Sequence, residues 1–250
     1  MNVAIITGAS AGLGTEYIKR LDKYGFDELW LIARRRDRLE AISEKCLTDC
    51  RILAMDITSE ESFSEYKRLL DDLKPEVQML INNAGFGRLG YFEDIDEAAT
   101  IGMLRLNCEA LTAFTHATLP YIPKGGEIIN ISSIASFVPN ARMTVYSSTK
   151  AYVTSFSRAL RFELKRKKIN VLAVCPGPME TEFLPVANIG KGTSHTFDTL
   201  PRVKPEMIAK HSLAASKKGR AMYTGRLFYK FYRLLSRIVP HKILMIFAQT

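Results

Sequence analysis

The chain of 250 residues predicts an α/β fold: one doubly wound domain whose mostly parallel sheet of about seven strands carries helices on both faces. Three observations carry that expectation. Short, unbroken apolar runs recur along the chain, helical stretches separate them, and no internal repeat or low-complexity linker divides the sequence. Strands buried on both faces read as continuous aliphatic runs, and strand–helix alternation requires right-handed crossovers between parallel neighbours.

In order, the strands are VAIIT (3–7), ELWLIA (28–33), RILAM (51–55), QMLIN (78–82), EIINIS (127–132) and NVLAVC (170–175). Each is short and rich in β-branched or aliphatic residues. The intervening helices are expected over 13–24, 37–46, 59–73, 97–121 and 144–167, with Ser59 (Ser62 and Phe63 behind it) and Asp94 as capping residues. One domain therefore spans 1–225, within which 180–203 could move as a substrate lid on the glycines at 190 and 192, and 226–250 forms a C-terminal extension rather than an independent domain.

Bulk composition narrows the function classes. A hydrophobic content of 47% with only 10 prolines describes a globular chain. No apolar run approaches the roughly 20 residues that span a bilayer, and MNVAIITGAS has neither a basic leader nor a small-residue cleavage site. The cysteines Cys46, Cys50, Cys108 and Cys175 form no metal-like constellation, so reduced thiols in a cytoplasmic protein are expected. The histidines His116, His195, His211 and His241 are scattered and read as surface or packing residues, with no metal expected. The net charge of +9 is uneven: from Arg202 onward 11 Lys+Arg face one acid, Glu206, whereas residues 1–201 balance to −1. Basicity confined to the tail gives no reason to expect nucleic-acid binding by the main body.

The first strand runs into TGASAGLG, with Gly8, Gly12 and Gly14 where strand becomes helix. Glycines there let backbone amides approach a pyrophosphate, and the helix N-terminus favours its charge. Alone, the G-x3-G-x-G spacing is also compatible with a plain turn. In TVYSSTKAY (144–152), Tyr146 and Lys150 stand four residues apart and so share a helix face. A phenol beside an ammonium ion has its anion favoured and its pKa lowered; the competing reading is a pair on a solvated face.

The motifs together decide. TGASAGLG (7–14), MDIT (55–58), NNAG (82–85), Asn107 within the 97–121 helix, NISS (130–133), YSSTK (146–150) and PGPMET (176–181) stand in the order found in classical short-chain dehydrogenases/reductases, a Rossmann-type family that the chain resembles from about Asn2 to about Gly225. The resemblance implies that Gly8, Ser10, Gly12, Leu13 and Gly14 line a phosphate turn, and that Asp56 and Ile57 flank an adenine. It also implies that Asn83, Ala84 and Gly85 pack beneath the cofactor ribose, and that Pro176, Gly177, Met179 and Thr181 border the nicotinamide. Tyr146 is then the general acid/base and Lys150 its partner, which also reaches the ribose hydroxyls. Ser133 donates to the substrate carbonyl oxygen, and Asn107 holds a relay water. NISS offers two serines, and strand alternation with the spacing to Tyr146 favours Ser133 over Ser132.

Cofactor choice is read from LIARRRDRLE. Arg34, Arg35 and Arg36 follow the second strand, with no acid until Asp37. An acid there would bond a ribose 2′-hydroxyl, whereas arginine accommodates a 2′-phosphate. NADP(H) is expected, with Arg34 the leading contact and Arg35 next. The reaction class is interconversion of a ketone or aldehyde with an alcohol. Phe183, Leu184, Val186, Phe137 and Val138 suggest an apolar wall, and so a hydroxysteroid-like, bile-acid-like or other apolar carbonyl substrate. A homo-oligomer, dimer or tetramer, is expected.

In the tail, Arg226, Lys230, Arg233 and Arg237 form one helical stripe, and Leu227, Phe228, Phe231, Leu234, Leu235 and Ile238 another. The apolar stripe is expected to cover the cleft or a subunit interface; the alternative is that 226–247 lies on an anionic membrane. Two rival functions remain: a catalytically idle NADP(H)-binding regulator, and a membrane-surface interaction protein.

Overall fold

The computed structural model describes residues 1–190 and 192–247, apart from the side chains of His195 and Phe247. The reading of His195 and the end of the 226–250 extension thus lie outside the described residues. Among the described residues seven strands form one sheet: β1 (Asn2–Thr7), β2 (Glu28–Ala33), β3 (Asp49–Ala54), β4 (Glu76–Asn82), β5 (Glu127–Ile131), β6 (Asn170–Cys175) and β7 (Met222–Thr224). Their order is β3-β2-β1-β4-β5-β6-β7 and every pairing is parallel.

The helices are α1 (Gly12–Leu21), α2 (Arg36–Ser43), α3 (Glu60–Leu73), α4 (Glu97–Leu104), α5 (Leu111–Thr118), α6 (Thr144–Leu164), α7 (Phe183–Val186), α8 (His195–Thr199), α9 (Pro205–Lys217), α10 (Leu227–Ile238) and α11 (His241–Phe247). Alternation along each strand divides the core into two layers. Ala4, Ile6, Leu29 and Leu31 meet Tyr17, Leu21, Ile208 and Leu213 from α1 and α9. Val3, Ile5, Trp30 and Ile32 meet Tyr66, Leu70 and Phe114 from α3 and α5. The chain starts at the centre of the sheet, winds out to β3 and restarts at β4 on the other side of β1. That reversal opens a crevice beyond the carboxyl ends of β1 and β4.

Several boundaries differ from expectation, each for a local reason. Asp96 rather than Asp94 caps α4, accepting from the Ala99 N–H at 3.0 Å; Asp94 instead ends the short 3-10 turn Phe92–Asp94. Ser59 caps α3 as expected, accepting from the Ser62 N–H at 3.1 Å. The 97–121 helix is interrupted by a π-helical segment, Arg105–Ala110, between α4 and α5. Pro240 separates α10 from α11, as a residue without an N–H must. Helix α9 and strand β7, absent from the sequence reading, complete the sheet's second edge.

The tail corrects a larger expectation. Tyr229 is fully buried, its hydroxyl donates to the Pro201 carbonyl at 2.6 Å, and its ring lies against Gly177, where a Cβ would stand 2.3 Å from a ring carbon. Helix α10 therefore does cover the body, but through Tyr229 and Tyr232. Of the apolar stripe, Leu227, Phe231, Leu234 and Ile238 face solvent.

Candidate active site

One cavity of about 1600 Å³ runs along the carboxyl ends of the strands. It exceeds the roughly 300–1,000 Å³ of a typical single-ligand pocket. At one end the turn between β1 and α1 is built for close approach. Gly8 has φ +66°, and a Cβ there would lie 2.8 Å from the Ala84 Cα; at Gly14 it would lie 2.2 Å from the Gly8 carbonyl oxygen. Thr7 ties β1 to β4, its hydroxyl accepting from the N–H groups of Asn83 and Ala84 at 3.1 Å, while Asn83 Nδ2 donates to the Thr7 and Gly8 carbonyls. Gly8, Ser10, Gly12, Leu13, Asn83, Ala84 and Gly85 all line the cavity; Gly14 packs just behind the turn.

Beside this turn Arg34 and Arg35 border the same space, as do Asp56 and Ile57. Arg35 caps the start of α2 with extended backbone; its guanidinium donates to Ser10 Oγ at 3.1 Å and to Glu182 Oε2 at 2.9 Å. Arg38 holds the other carboxylate oxygen of Glu182. Glu182 is thereby clasped between two guanidinium groups, which keep its carboxyl below the usual range, Arg38 first and Arg35 second. Nothing in the sequence reading anticipated it, because Glu182 and the arginines are far apart in the chain. Burial pushes the Asp56 carboxyl up, but hydrogen bonds from the Thr58 N–H and hydroxyl, with Arg34 nearby, bring it below its ordinary value.

At the far end α6 presents Tyr146 and Lys150, both buried. A buried polar chain seats this helix on the sheet: Asn82 Nδ2 donates to Asn130 Oδ1 at 2.8 Å, and Asn130 Nδ2 to Ser157 Oγ at 2.9 Å. The two serines of NISS separate as strand alternation predicts. Ser132 turns its hydroxyl to α6, donating to the Lys150 carbonyl at 2.8 Å, whereas Ser133 Oγ accepts from the Ala135 N–H at 3.1 Å and borders the same cavity as Tyr146. Lys150 Nζ donates to the Ile131 carbonyl at 2.9 Å and lies 5.7 Å from the Tyr146 ring centre.

The titration of this pair departs from expectation. Burial raises the Tyr146 phenol to about 12, with Ser133 opposing. Burial also lowers Lys150 to about 8, against smaller opposite effects of Cys108 and Cys175. The sequence reading let the neighbouring ammonium lower the phenol; burial is instead the largest influence on each group, and it disfavours the charged form of both.

Asn107 sits within the π-helical segment, and such segments concentrate at functional sites. Its amide is engaged: Oδ1 accepts from the Phe86 N–H at 3.0 Å, and Nδ2 donates to the Phe86 carbonyl at 2.9 Å and to Thr149 Oγ1 at 3.0 Å. It lines no part of the cavity; a Cβ added at Gly85 would meet its Oδ1 at 2.9 Å and Lys150 Nζ at 3.3 Å, so the three groups are packed together. Pro176, Gly177, Met179 and Thr181 border the site, with Phe183, Leu184 and Val186 of α7 beside them. Phe183 stacks at a tilt on Tyr146, ring centres 5.4 Å apart. Phe137 and Val138 are not part of that wall. They pack with Cys175 and Leu244 beneath α11, because the turn after Ser133 directs them away from the cavity. Arg88, Arg105 and Tyr232 line the cavity without having been singled out, and Phe228 and Leu235 of the tail's apolar stripe border it as well.

A parallel sheet with a crevice at its order reversal, a glycine turn at the first helix and a buried tyrosine–lysine pair on one wall define a dinucleotide-fold oxidoreductase. The chain belongs to the short-chain dehydrogenase family: residues 2–190 match the family model described as "short chain dehydrogenase". It is 35% identical over 212 residues to a probable NADP-dependent dehydrogenase of Haemophilus influenzae, covering 82% of this chain and 84% of that protein. Among solved structures it is similar to a short-chain dehydrogenase from Sphingobium yanoikuyae in complex with NADPH, with a TM-score of 0.82, 27% identity, and coverage of 98% and 96% of the two chains. It is also similar to the bulky-bulky ketone specific alcohol dehydrogenase from Comamonas testosteroni, with a TM-score of 0.77, 26% identity, and coverage of 98% and 94%.

Proposed function

We infer that the protein is an NADP(H)-dependent oxidoreductase that interconverts a ketone or aldehyde with an alcohol, acting on a bulky, largely apolar substrate such as a hydroxysteroid-like or bile-acid-like compound. The observation that carries the reading is convergence: Tyr146, Ser133 and Lys150 share one cavity with the glycine turn and with Arg34 and Arg35.

The residues fit a dinucleotide phosphate. A side chain at Gly8 would strike the Ala84 backbone and one at Gly14 the Gly8 carbonyl, so glycine keeps the turn tight beside the cavity, and the guanidinium groups of Arg34 and Arg35 suit a 2′-phosphate. When bound, the nicotinamide group supplies hydride transfer to or from the substrate carbon. Ser133 would donate to the carbonyl oxygen as it gains charge. Tyr146, protonated across the physiological range at a pKa of about 12, would hand its phenolic proton to that oxygen in reduction and recover it in oxidation. Lys150 would orient the ribose and favour the phenolate, and Asn107 would tie the Phe86 backbone to Thr149 of α6 around the lysine. The apolar substrate rests on Phe183, Leu184, Val186, Phe228 and Tyr232. A panel of ketones and secondary alcohols assayed with NADPH and NADP⁺ tests the reading: turnover of bulky apolar ketones with NADPH is expected, and no turnover of any carbonyl compound contradicts it.

A further inference from the structure

Helix α10 is amphipathic in an inverted sense. At 100° per residue, Tyr229, Tyr232 and Ser236 fall on one arc, and it is this arc that meets the body: Tyr229 is fully buried and Tyr232 stacks at a tilt on Phe137. The opposite, solvent-facing arc carries Leu227, Phe231, Leu234 and Ile238. Leu227 is 80% exposed and Ile238 71%. A water-facing arc made wholly of large apolar side chains is the reverse of what a helix packed on a globular core presents.

Its flank identifies the occupant. Arg226, Lys230 and Arg237 stand exposed along one side, with Lys242 following on α11, and no acidic residue occurs after Glu206. A second copy docked helix to helix would bring the same cations with no carboxylate on α10 or α11 to pair them. An anionic lipid surface complements both features, taking the apolar arc below its headgroups and the cations among them. Among the described residues no helix is long and apolar enough to cross a membrane, so the geometry is that of a helix lying in the interface.

We propose that α10, extended by α11, docks the protein on the surface of an anionic membrane through Leu227, Phe231, Leu234 and Ile238. The docking surface is continuous with the cavity: Phe228 and Ile243, 52% and 49% exposed, border both. Resting on the proposed carbonyl chemistry, this adds that the substrate is a membrane-partitioned compound entering along α10.

The full-length protein is sedimented with phosphatidylcholine vesicles and with vesicles containing phosphatidylglycerol, at low and high salt. Binding to the anionic vesicles alone, weakened by salt, is expected. The variant with Leu227, Phe231, Leu234 and Ile238 each changed to Ser should lose binding while keeping its unfolding midpoint. Reversing Arg226, Lys230 and Arg237 to Glu should raise the lipid concentration for half-binding by about tenfold or more. Failure of the unmodified protein to sediment, or undiminished binding by the serine variant, overturns the proposal. So does a lipid-independent oligomer that the serine variant dissociates, which would make the occupant a second copy. Vesicle binding is read without turnover, so its failure is distinguishable from failure of the proposed reaction.

Discussion

Glu182 occupies the place where a second anion should compete with it. Its carboxylate bridges Arg35 and Arg38, and Arg35 also holds Ser10 of the glycine turn. A 2′-phosphate received by Arg34 and Arg35 would lie beside that carboxylate, so cofactor binding must weaken the Arg35–Glu182 pair. The pair is half exposed, at 41% and 47%. Exposed ion pairs contribute about 0.2–1 kcal/mol each. Glu182→Gln should therefore tighten NADPH binding by about 1.4- to 5-fold, and by up to about 30-fold if the Arg38 pair is released as well. NADH, lacking the phosphate, should gain less. Fluorescence titration of both cofactors against the two proteins, at a single low ionic strength, reads the effect. Unchanged or weaker NADPH binding in Glu182→Gln, or an equal gain for NADH, would refute the competition.

Arg34→Ala should shrink the preference for NADPH over NADH by roughly tenfold or more, since a charge-assisted contact contributes about 1.5–3 kcal/mol; equal affinities in the unmodified protein would reverse the cofactor assignment. Lys150, lowered by burial to about 8, loses its charge as pH rises through that value, so NADPH affinity should fall above about pH 8 and Lys150→Met should lack the step. For stability the sign is opposite: the unfolded chain holds this proton up to its ordinary value of 10.5, so Lys150's contribution becomes more favourable as pH rises from about 8 towards 10.5. Tyr229→Ala removes the buried anchor of α10, at a cost of about 3–5 kcal/mol by analogy with other buried aromatics; limited trypsin digestion should then cut faster at Lys230, and an unchanged rate would contradict the anchoring.

The sheet was legible because its strands are buried on both faces, so VAIIT or NVLAVC cannot be mistaken for an amphipathic element. Strand β7 escaped: its three residues MYT are an edge strand with two partly exposed positions and carry no apolar run. The glycine turn, the shared helix face of Tyr146 and Lys150 and the different directions of Ser132 and Ser133 were legible because local spacing fixes which face a side chain takes. The clasp on Glu182, the diversion of Phe137 and Val138, and the phenol raised rather than lowered were not, because each depends on groups or burial that distant segments supply. Helix α10 shows the limit most plainly. Its hydrophobic stripe is evident in sequence, but which arc meets the body is decided by the contact of Tyr229 with Gly177.

The proposed chemistry turns on one proton. Tyr146→Phe keeps the ring that packs on Phe183 and removes only the hydroxyl. Measured together, NADPH affinity should stay near that of the unmodified protein while turnover of the best ketone falls by about 10²–10⁴-fold, the range of general acid–base contributions. Turnover within a few fold of the unmodified enzyme, with cofactor binding intact, would contradict the role given to Tyr146.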